Sequence, residues 1–521
     1  MLALLKKNFL ALLFVFGAVL LIQTVKINRP YRGHFASYQA TVMASISRNM
    51  MRENFSDVLM PKTDFLIQGQ RSLHLNQYPF PSLIAAGGAK FLGGSLEFWG
   101  RFQAVLFNLL TVFLVGLIAS RAFNPFAGAI AAVLYALSPF SLIYGQSFIS
   151  EPLSVFFLLL SLALIQRGQR QSGFGAVLAS GVCLSLAVTG RIHFALFYPV
   201  WIVALWKQSG LNKTARFLLF STAAVILPCL WYGHTWFAGR QSDHLHTSLF
   251  LQLAAGSGGQ GISFANLEFI KHLFDVLSQT MLTPLVFPFL ILGLCFCNQR
   301  NLDQQSILLS LFPGILTALL FPSKVMAQDF YLSGLFPFLI ILAAFGLSRA
   351  LEAFPELMKK STAFFFITLY LLVSARYFLH PIFKVPAEEQ GIEKAASFTK
   401  ARTQPEDKLI VAAQNPALLL YYADRPAWPL ELGSIGKSLR PYQKVQGLRR
   451  TDLTEIQKEE EAMRSPVSWL EYLKAQGAAY LLVESHEDLE KYPDFQAHVL
   501  KNYKKISPDH AGFYLFSLKS S

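Results

Sequence analysis

Charge is scarce in this sequence. Asp, Glu, Lys and Arg make up 15% of the 521 residues, against about a quarter in an ordinary soluble domain. Hydrophobic residues reach 53% and mean hydropathy is +0.41. Together these exclude a soluble globular chain and point to a polytopic membrane protein. Acidic residues are scarcer than basic ones, 31 against 45, for a net charge of +14. In a membrane protein such an excess marks cytoplasmic loops. No basic stripe is interleaved with stacking aromatics, so a nucleic-acid partner is excluded. Cysteine is rare as well. Cys183, Cys229, Cys295 and Cys297 all lie in or at the ends of apolar runs, so no disulfide framework ties the polar segments. Cys295-Phe296-Cys297 lacks zinc-knuckle spacing, and these four read as small hydrophobes. His244 and His246 beside Asp243 lack an expected further ligand, and no metal is expected. The glycines from Gly256 to Gly261 neither follow a strand nor lead into a Walker lysine, which excludes a phosphate loop. There is no internal repeat and no low-complexity tract.

What is present is a series of apolar runs. A span needs about 20 mostly apolar residues. Hydropathy predicts about eleven, near 9–25, 102–122, 126–143, 152–165, 174–188, 194–206, 217–231, 282–297, 307–321, 331–347 and 363–377. The first follows Lys6 and Lys7 and lacks a small-residue cleavage site, so it reads as an uncleaved span. With those lysines inside, alternation puts Arg121, Arg167, Arg170, Lys213, Arg300 and Arg349 inside too, as the positive-inside rule requires. The polar segments then gather on the outer face. The longest, 26–101, carries an apolar stretch at 80–92 that reads as a helix lying on the membrane surface. After about residue 379 the composition becomes charged and alternates helix and strand patterns. Residues 408–413, 478–484 and 513–518 read as strands and 468–475 as a helix that Gly477 stops. The expected organisation is therefore a membrane domain over 1–379 and an extracytoplasmic α/β domain over 380–521.

Polar groups close to spans are costly and mark function. Glu151 opens a span as Glu151-Pro152, where an acid also suits a helix N-terminus. Arg191 and His193 lie at the Gly190 turn on the outer side, where a basic residue runs against the positive-inside trend. Lys324, Asp329 and Tyr331 sit in the next outer turn, and an outer lysine near a span suits a phosphate or simply snorkels. His34 lies just past the first span and has the ordinary pKa of a general base.

These residues occur in an order that resembles the GT-C membrane glycosyltransferases, in particular glycosyltransferase family 39, the protein O-mannosyltransferase and aminoarabinose transferase type. The resemblance runs through Ala44 to Met50 with Arg48 and Asn49, then Gln77-Tyr78-Pro79-Phe80-Pro81, then Gly93 to Arg101. It continues at Gln146 to Leu153, at Asp329-Phe330-Tyr331 with Pro337, at Tyr421 to Arg425 and at Gly477 to Tyr480. It implies a multi-pass inner (plasma) membrane enzyme that moves a sugar from a polyprenyl-phosphate donor to a lipid, glycan or protein acceptor on the extracytoplasmic face, with no cofactor. It implies donor-phosphate contacts from Arg191, Lys324 and Arg101, and substrate contacts from Tyr38, Gln77, Tyr144, Gln146, His193, Asp329 and Tyr331. Family members carry an Asp just after the first span as catalytic acid or base. Here that place reads Arg32-Gly33-His34-Phe35, and no carboxylate comes before Glu53. Either His34 substitutes, or Asp57, Asp64 or Glu151 reaches in, or the chain is catalytically altered. A transporter or flippase of lipid-linked sugars is the alternative class; it would show paired repeats or broken helices in both halves.

Overall fold

The computed structural model describes residues 37–171, 174–207, 213–241, 245–248, 266–298, 301–354, 391–430 and 464–519, with 27–31 and isolated residues near 17–24, 366–376, 432 and 461–462. The chain forms two compact units, each drawn from separated segments. One comprises Met1–Arg29, Glu97–Trp231 and Gly259–Phe383; the other comprises Pro30–Leu96, Tyr232–Gly258 and Lys384–Ser521.

The first unit is a helical bundle. Four of its described helices are long and apolar enough to cross a membrane: Leu96–Ala122, Lys213–Gly239, Leu302–Leu320 and Phe336–Ala353. The pair Leu267–Met281 and Thr283–Phe296 makes a fifth if its 101° bend falls within one span. That bend has a local cause. Thr283 has φ +63° and stands before Pro284, and proline disfavours the helical region for the residue it follows. Pro139 breaks the run at 126–143 in the same way, leaving helices Pro125–Leu137 and Pro139–Tyr144. The predicted first and last spans fall mostly outside the described residues.

Small residues let these helices approach closely, as membrane packing requires. A Cβ on Gly293 would lie 1.9 Å from the carbonyl oxygen of Leu342, and one on Gly346 would lie 2.0 Å from that of Phe289. The helices Thr283–Phe296 and Phe336–Ala353 therefore touch backbone to backbone. Elsewhere hydroxyls join helices. Ser161 Oγ donates to the Ser180 carbonyl at 2.8 Å, Ser180 Oγ returns the bond at 2.9 Å, and Trp201 Nε1 donates to Ser161 Oγ at 2.8 Å.

The second unit is built on an eight-stranded mixed sheet. Its strands are β1 (Lys62–Ile67), β2 (Gln70–Leu75), β3 (Leu245–Ser248), β4 (Lys408–Ala412), β5 (Ala427–Pro429), β6 (Ala478–Val483), β7 (Lys504–Lys505) and β8 (Tyr514–Ser517). Their order across the sheet is β3-β2-β1-β5-β4-β6-β8-β7. The strands and helix read from the C-terminal sequence are present. Gly477, at φ +95°, ends helix Pro466–Ala475 as expected.

The sequence reading had no strands in the first long loop, whereas β1 and β2 lie there and extend the same sheet. They form a hairpin whose turn residues, Gln68 and Gly69, have φ of +50° and +73°, the geometry that matches strand twist in two-residue loops. β1 then runs parallel to β5 with Phe65 opposite Ala427. Leu66 joins Ile410, Trp428, Leu481, Leu470 and Phe516 in one apolar core.

Candidate functional site: a buried ion pair under an aromatic belt

In the helical unit, four of the sequence candidates meet around one ion pair. Glu151 is the first residue of helix Glu151–Gln171, where its carboxylate complements the helix dipole. Arg191 follows the last residue of helix Phe174–Gly190. These two helices meet tightly at that end, since a Cβ on Gly190 would lie 2.4 Å from Ser154 Oγ. Glycine thus brings Arg191 across to Glu151, Nη2 to Oε1 at 2.5 Å, and both side chains are almost wholly buried. Arg191 is extended, at φ −150°, and leads into the 3-10 turn Ile192–Phe197 that carries His193.

Aromatic rings cover the pair. The Arg191 guanidinium lies 5.4 Å from the ring centre of Phe330 and 5.7 Å from that of Tyr331, within cation–π range. Phe330 and Tyr331 stack at 5.5 Å, and the His193 ring lies 5.3 Å from Tyr331. His193 is buried, and its Nε2 has no hydrogen-bond partner among the described residues. Tyr144 meets Phe330 edge-on at 5.8 Å and donates its hydroxyl to Asp329 Oδ1 at 2.6 Å. Asp329 and both rings come from one 3-10 turn, Asp329–Gly334. Lys324 is exposed on the preceding short helix Pro322–Ala327, and no side-chain partner engages it among the described residues.

Gln146 connects this belt to the end of the first predicted span. Its Nε2 donates to the Leu142 carbonyl at 2.7 Å, turning its Oε1 toward Arg29 Nη2 at 3.0 Å. Arg101 donates to the carbonyl oxygens of Ile27, at 3.0 Å, and Arg29. Its guanidinium therefore braces the turn on which Arg29 sits.

The remaining candidates lie in the sheet unit. Asp64 is on β1 and is fully engaged: Arg48 Nη2 contacts Oδ2 at 2.5 Å, Asn49 donates to Oδ1 at 3.2 Å and Arg71 Nε lies at 3.6 Å. Arg48 also reaches Asp424 at 3.0 Å and the Tyr421 carbonyl at 2.5 Å. Burial opposes Arg48's charge, yet Asp64 and Asp424 hold its pKa above the ordinary arginine value. Gln77 is buried, with its amide nitrogen 3.6 Å from Met43 Sδ. Tyr38 is partly exposed beside Phe65. His34 lies outside the described residues. The sequence reading missed Phe330 and Arg29. Phe330 stands between two residues that were singled out, and Arg29 is a cation just beyond a span, so each had a usable signal.

Residues 11–242 match the family model described as dolichyl-phosphate-mannose-protein mannosyltransferase. No curated protein matches the chain in sequence. Among solved structures, ArnT from Cupriavidus metallidurans bound to undecaprenyl phosphate is similar over 99% of this chain and 99% of that one, with a TM-score of 0.68 and 14% identity. The oligosaccharyltransferase AglB from Archaeoglobus fulgidus, in complex with an inhibitory peptide and a dolichol-phosphate, is similar over 99% of this chain and 75% of its own, with a TM-score of 0.54 and 13% identity. The arabinofuranosyltransferase AftD from Mycobacteria is similar over 98% of this chain and 41% of its own, at 0.56 and 16%. Residues 11–242 thus match the model of that mannosyltransferase family, and the chain as a whole has the GT-C fold of these membrane proteins.

Proposed function

We propose that the chain transfers a sugar from a polyprenyl-phosphate donor to an acceptor hydroxyl on the extracytoplasmic face of the plasma membrane. The observation that carries this reading is the buried Arg191–Glu151 pair beneath Phe330 and Tyr331. The donor's lipid tail stays in the bilayer while its phosphosugar reaches the surface. A site for it must therefore offer a fixed cation at the end of a helix bundle. In the reaction the acceptor oxygen attacks the anomeric carbon, the bond from that carbon to the phosphate oxygen breaks, and the sugar inverts. The acceptor proton passes to a base. The departing polyprenyl phosphate keeps the bonding pair, so cations held in place before the reaction stabilise it. Arg191 fills that role, and Glu151 holds its guanidinium in one orientation. Lys324, exposed on the neighbouring turn, supplies a second positive charge, and Arg101 stands behind them.

Glu151 and Asp64 are each engaged by an arginine, Arg191 and Arg48. We take Asp329, held by the Tyr144 hydroxyl, and His34 beyond the first span as the candidates for the acceptor proton. Tyr331, His193, Gln146 and Tyr144 are assigned to substrate contacts.

The test uses purified protein in lipid with a panel of labelled polyprenyl-phosphate sugars. Wild type turns over at least one donor, and Arg191→Gln loses transfer. His34→Gln and Asp329→Asn separate the two proton acceptors, because the variant lacking the base loses the acidic limb of the rate profile. Donor binding without turnover by wild type would contradict the proposal.

A further inference from the structure

Two short 3-10 turns meet in the helical unit, Ile192–Phe197 and Asp329–Gly334. They touch directly: a Cβ on Gly334 would lie 2.9 Å from a ring carbon of Phe194. Each turn holds a buried polar atom without a hydrogen-bond partner among the described residues, His193 Nε2 on the first and Ser333 Oγ on the second. A helical serine ordinarily donates back to a carbonyl one turn earlier, as Ser278, Ser306 and Ser310 do at 2.7, 2.8 and 2.6 Å. Ser333 makes no such bond among the described residues. In a 3-10 turn, side chains three residues apart eclipse each other. Ser333 therefore lies on the side of its turn that carries Phe330, the ring 5.4 Å from the Arg191 guanidinium. His193 comes to the same place from the other turn, its ring 5.3 Å from that of Tyr331 and edge-on to Phe194 at 4.7 Å. The two unmatched atoms thus flank the ion pair. A buried polar group without a partner is costly, so its presence at a site is a mark of function. A hydroxyl donates one hydrogen bond and accepts others, and a neutral imidazole does one of each. Together they match an uncharged hydroxyl on a ligand; a phosphate oxygen only accepts and leaves their acceptor capacity unused.

We infer that His193 and Ser333 hydrogen-bond one hydroxyl of the donor's sugar and set which sugar the site accepts: one with a free hydroxyl at that position, in preference to its deoxy counterpart. The inference rests on the proposed reading that a polyprenyl-phosphate sugar binds at the Arg191–Glu151 pair. It adds Ser333 to that site, gives His193 a defined partner, and separates the groups that read the sugar from Arg191, which takes the phosphate.

The test uses full-length protein in phosphatidylcholine nanodiscs. The probes are labelled polyprenyl-phosphate hexoses and pentoses, and the monodeoxy analogues of the one that wild type binds most tightly. Wild type is expected to bind one monodeoxy analogue about tenfold or more weaker than the parent donor. Ser333→Ala and His193→Phe each weaken binding of the parent, and lose little further with that one analogue, since the hydroxyl they address is already gone. Both bind polyprenyl monophosphate, which carries no sugar, as wild type does. Ser333→Ala keeps the wild-type thermal midpoint or raises it, because it removes an unmatched buried hydroxyl. A lowered midpoint, or losses equal for the parent and every analogue, would overturn the assignment to the sugar. So would a wild type that binds every analogue as tightly as the parent. Sugar transfer is followed in parallel. Transfer without discrimination among the analogues counts against this inference alone. Discriminating, Ser333-dependent binding without transfer would sink the proposed reaction and leave the inference standing, and a wild type that binds no donor of the panel would sink both.

Discussion

At the residue scale, the account depends on Arg191 and Glu151 having two separable roles. Taking away one partner of a buried ion pair strands the other charge and costs about 3–5 kcal/mol, whereas replacing both with apolar residues is often neutral. Arg191→Leu alone is therefore expected to lower thermal stability sharply. The double variant Arg191→Leu with Glu151→Leu regains most of that stability and stays without transfer activity. A differential scanning measurement beside a transfer assay reads both; a double variant that transfers sugar at the wild-type rate would remove Arg191 from the mechanism. Tyr144→Phe loses the hydroxyl donated to Asp329. A hydrogen bond to a charged group contributes about 1.5–3 kcal/mol, so this variant shifts the thermal midpoint down and changes the pH profile of transfer if Asp329 is the base. An unaltered profile assigns the proton to His34. These residues were legible one by one, because polar groups at span ends stand out in an apolar chain. Their pairing was not legible. It depends on the close approach at Gly190 and Ser154, which no spacing along the chain reveals.

At the element scale, the C-terminal strands were readable as short apolar runs, and β1 and β2 were not. Lys62 to Ile67 is buried on both faces in its middle, so it shows no alternation. It carries Asp64, and β2 carries His74 and Gln70, residues that contribute little strand signal. The strand exists because tertiary pairing with β5 and the Arg48 contact to Asp64 override local preference. Asp424 belongs to the same arrangement. It sits at φ +58° after helix Pro416–Ala423, with Arg48, Arg52 and Lys400 on its carboxylate at 3.0, 2.6 and 3.4 Å. Burial opposes its ionisation, but these three cations hold its pKa below the ordinary Asp value. A carboxyl whose folded pKa is depressed contributes stability above its unfolded pKa, near 3.9, and loses it as pH falls toward the folded value. Thermal midpoints of the full protein taken from pH 6 downward are expected to fall below about pH 4 in wild type. Asp424→Asn starts lower at neutral pH and flattens that fall. Parallel curves for the two proteins would show that Asp424 carries none of the acid sensitivity.

At the scale of the whole molecule, the sheet unit is assembled from three separated stretches, 30–96, 232–258 and 384–521. Sequence composition marked only the last of them, because a change from apolar to charged segments is visible along the chain and strand pairing between distant segments is not. A fragment of residues 384–521 alone leaves β5 as an open edge and removes Leu66 from the core. Unpaired edges invite aggregation. That fragment is expected to be insoluble or poorly structured, whereas joining it to residues 30–96 through a flexible linker restores a cooperative unfolding transition. A soluble, cooperatively folded 384–521 fragment would contradict this assembly.

The central claim is the transfer of sugar from a lipid phosphate with Arg191 stabilising the departing phosphate. The direct measurement is product formation from labelled polyprenyl-phosphate sugars by the full protein in lipid, compared with Arg191→Gln carrying its own folding control. The account predicts turnover of at least one donor by wild type, and in folded Arg191→Gln a fall in kcat of about a hundredfold or more, the scale reached when one preorganised donor to a developing negative charge is lost. Equal turnover by the two proteins would contradict it.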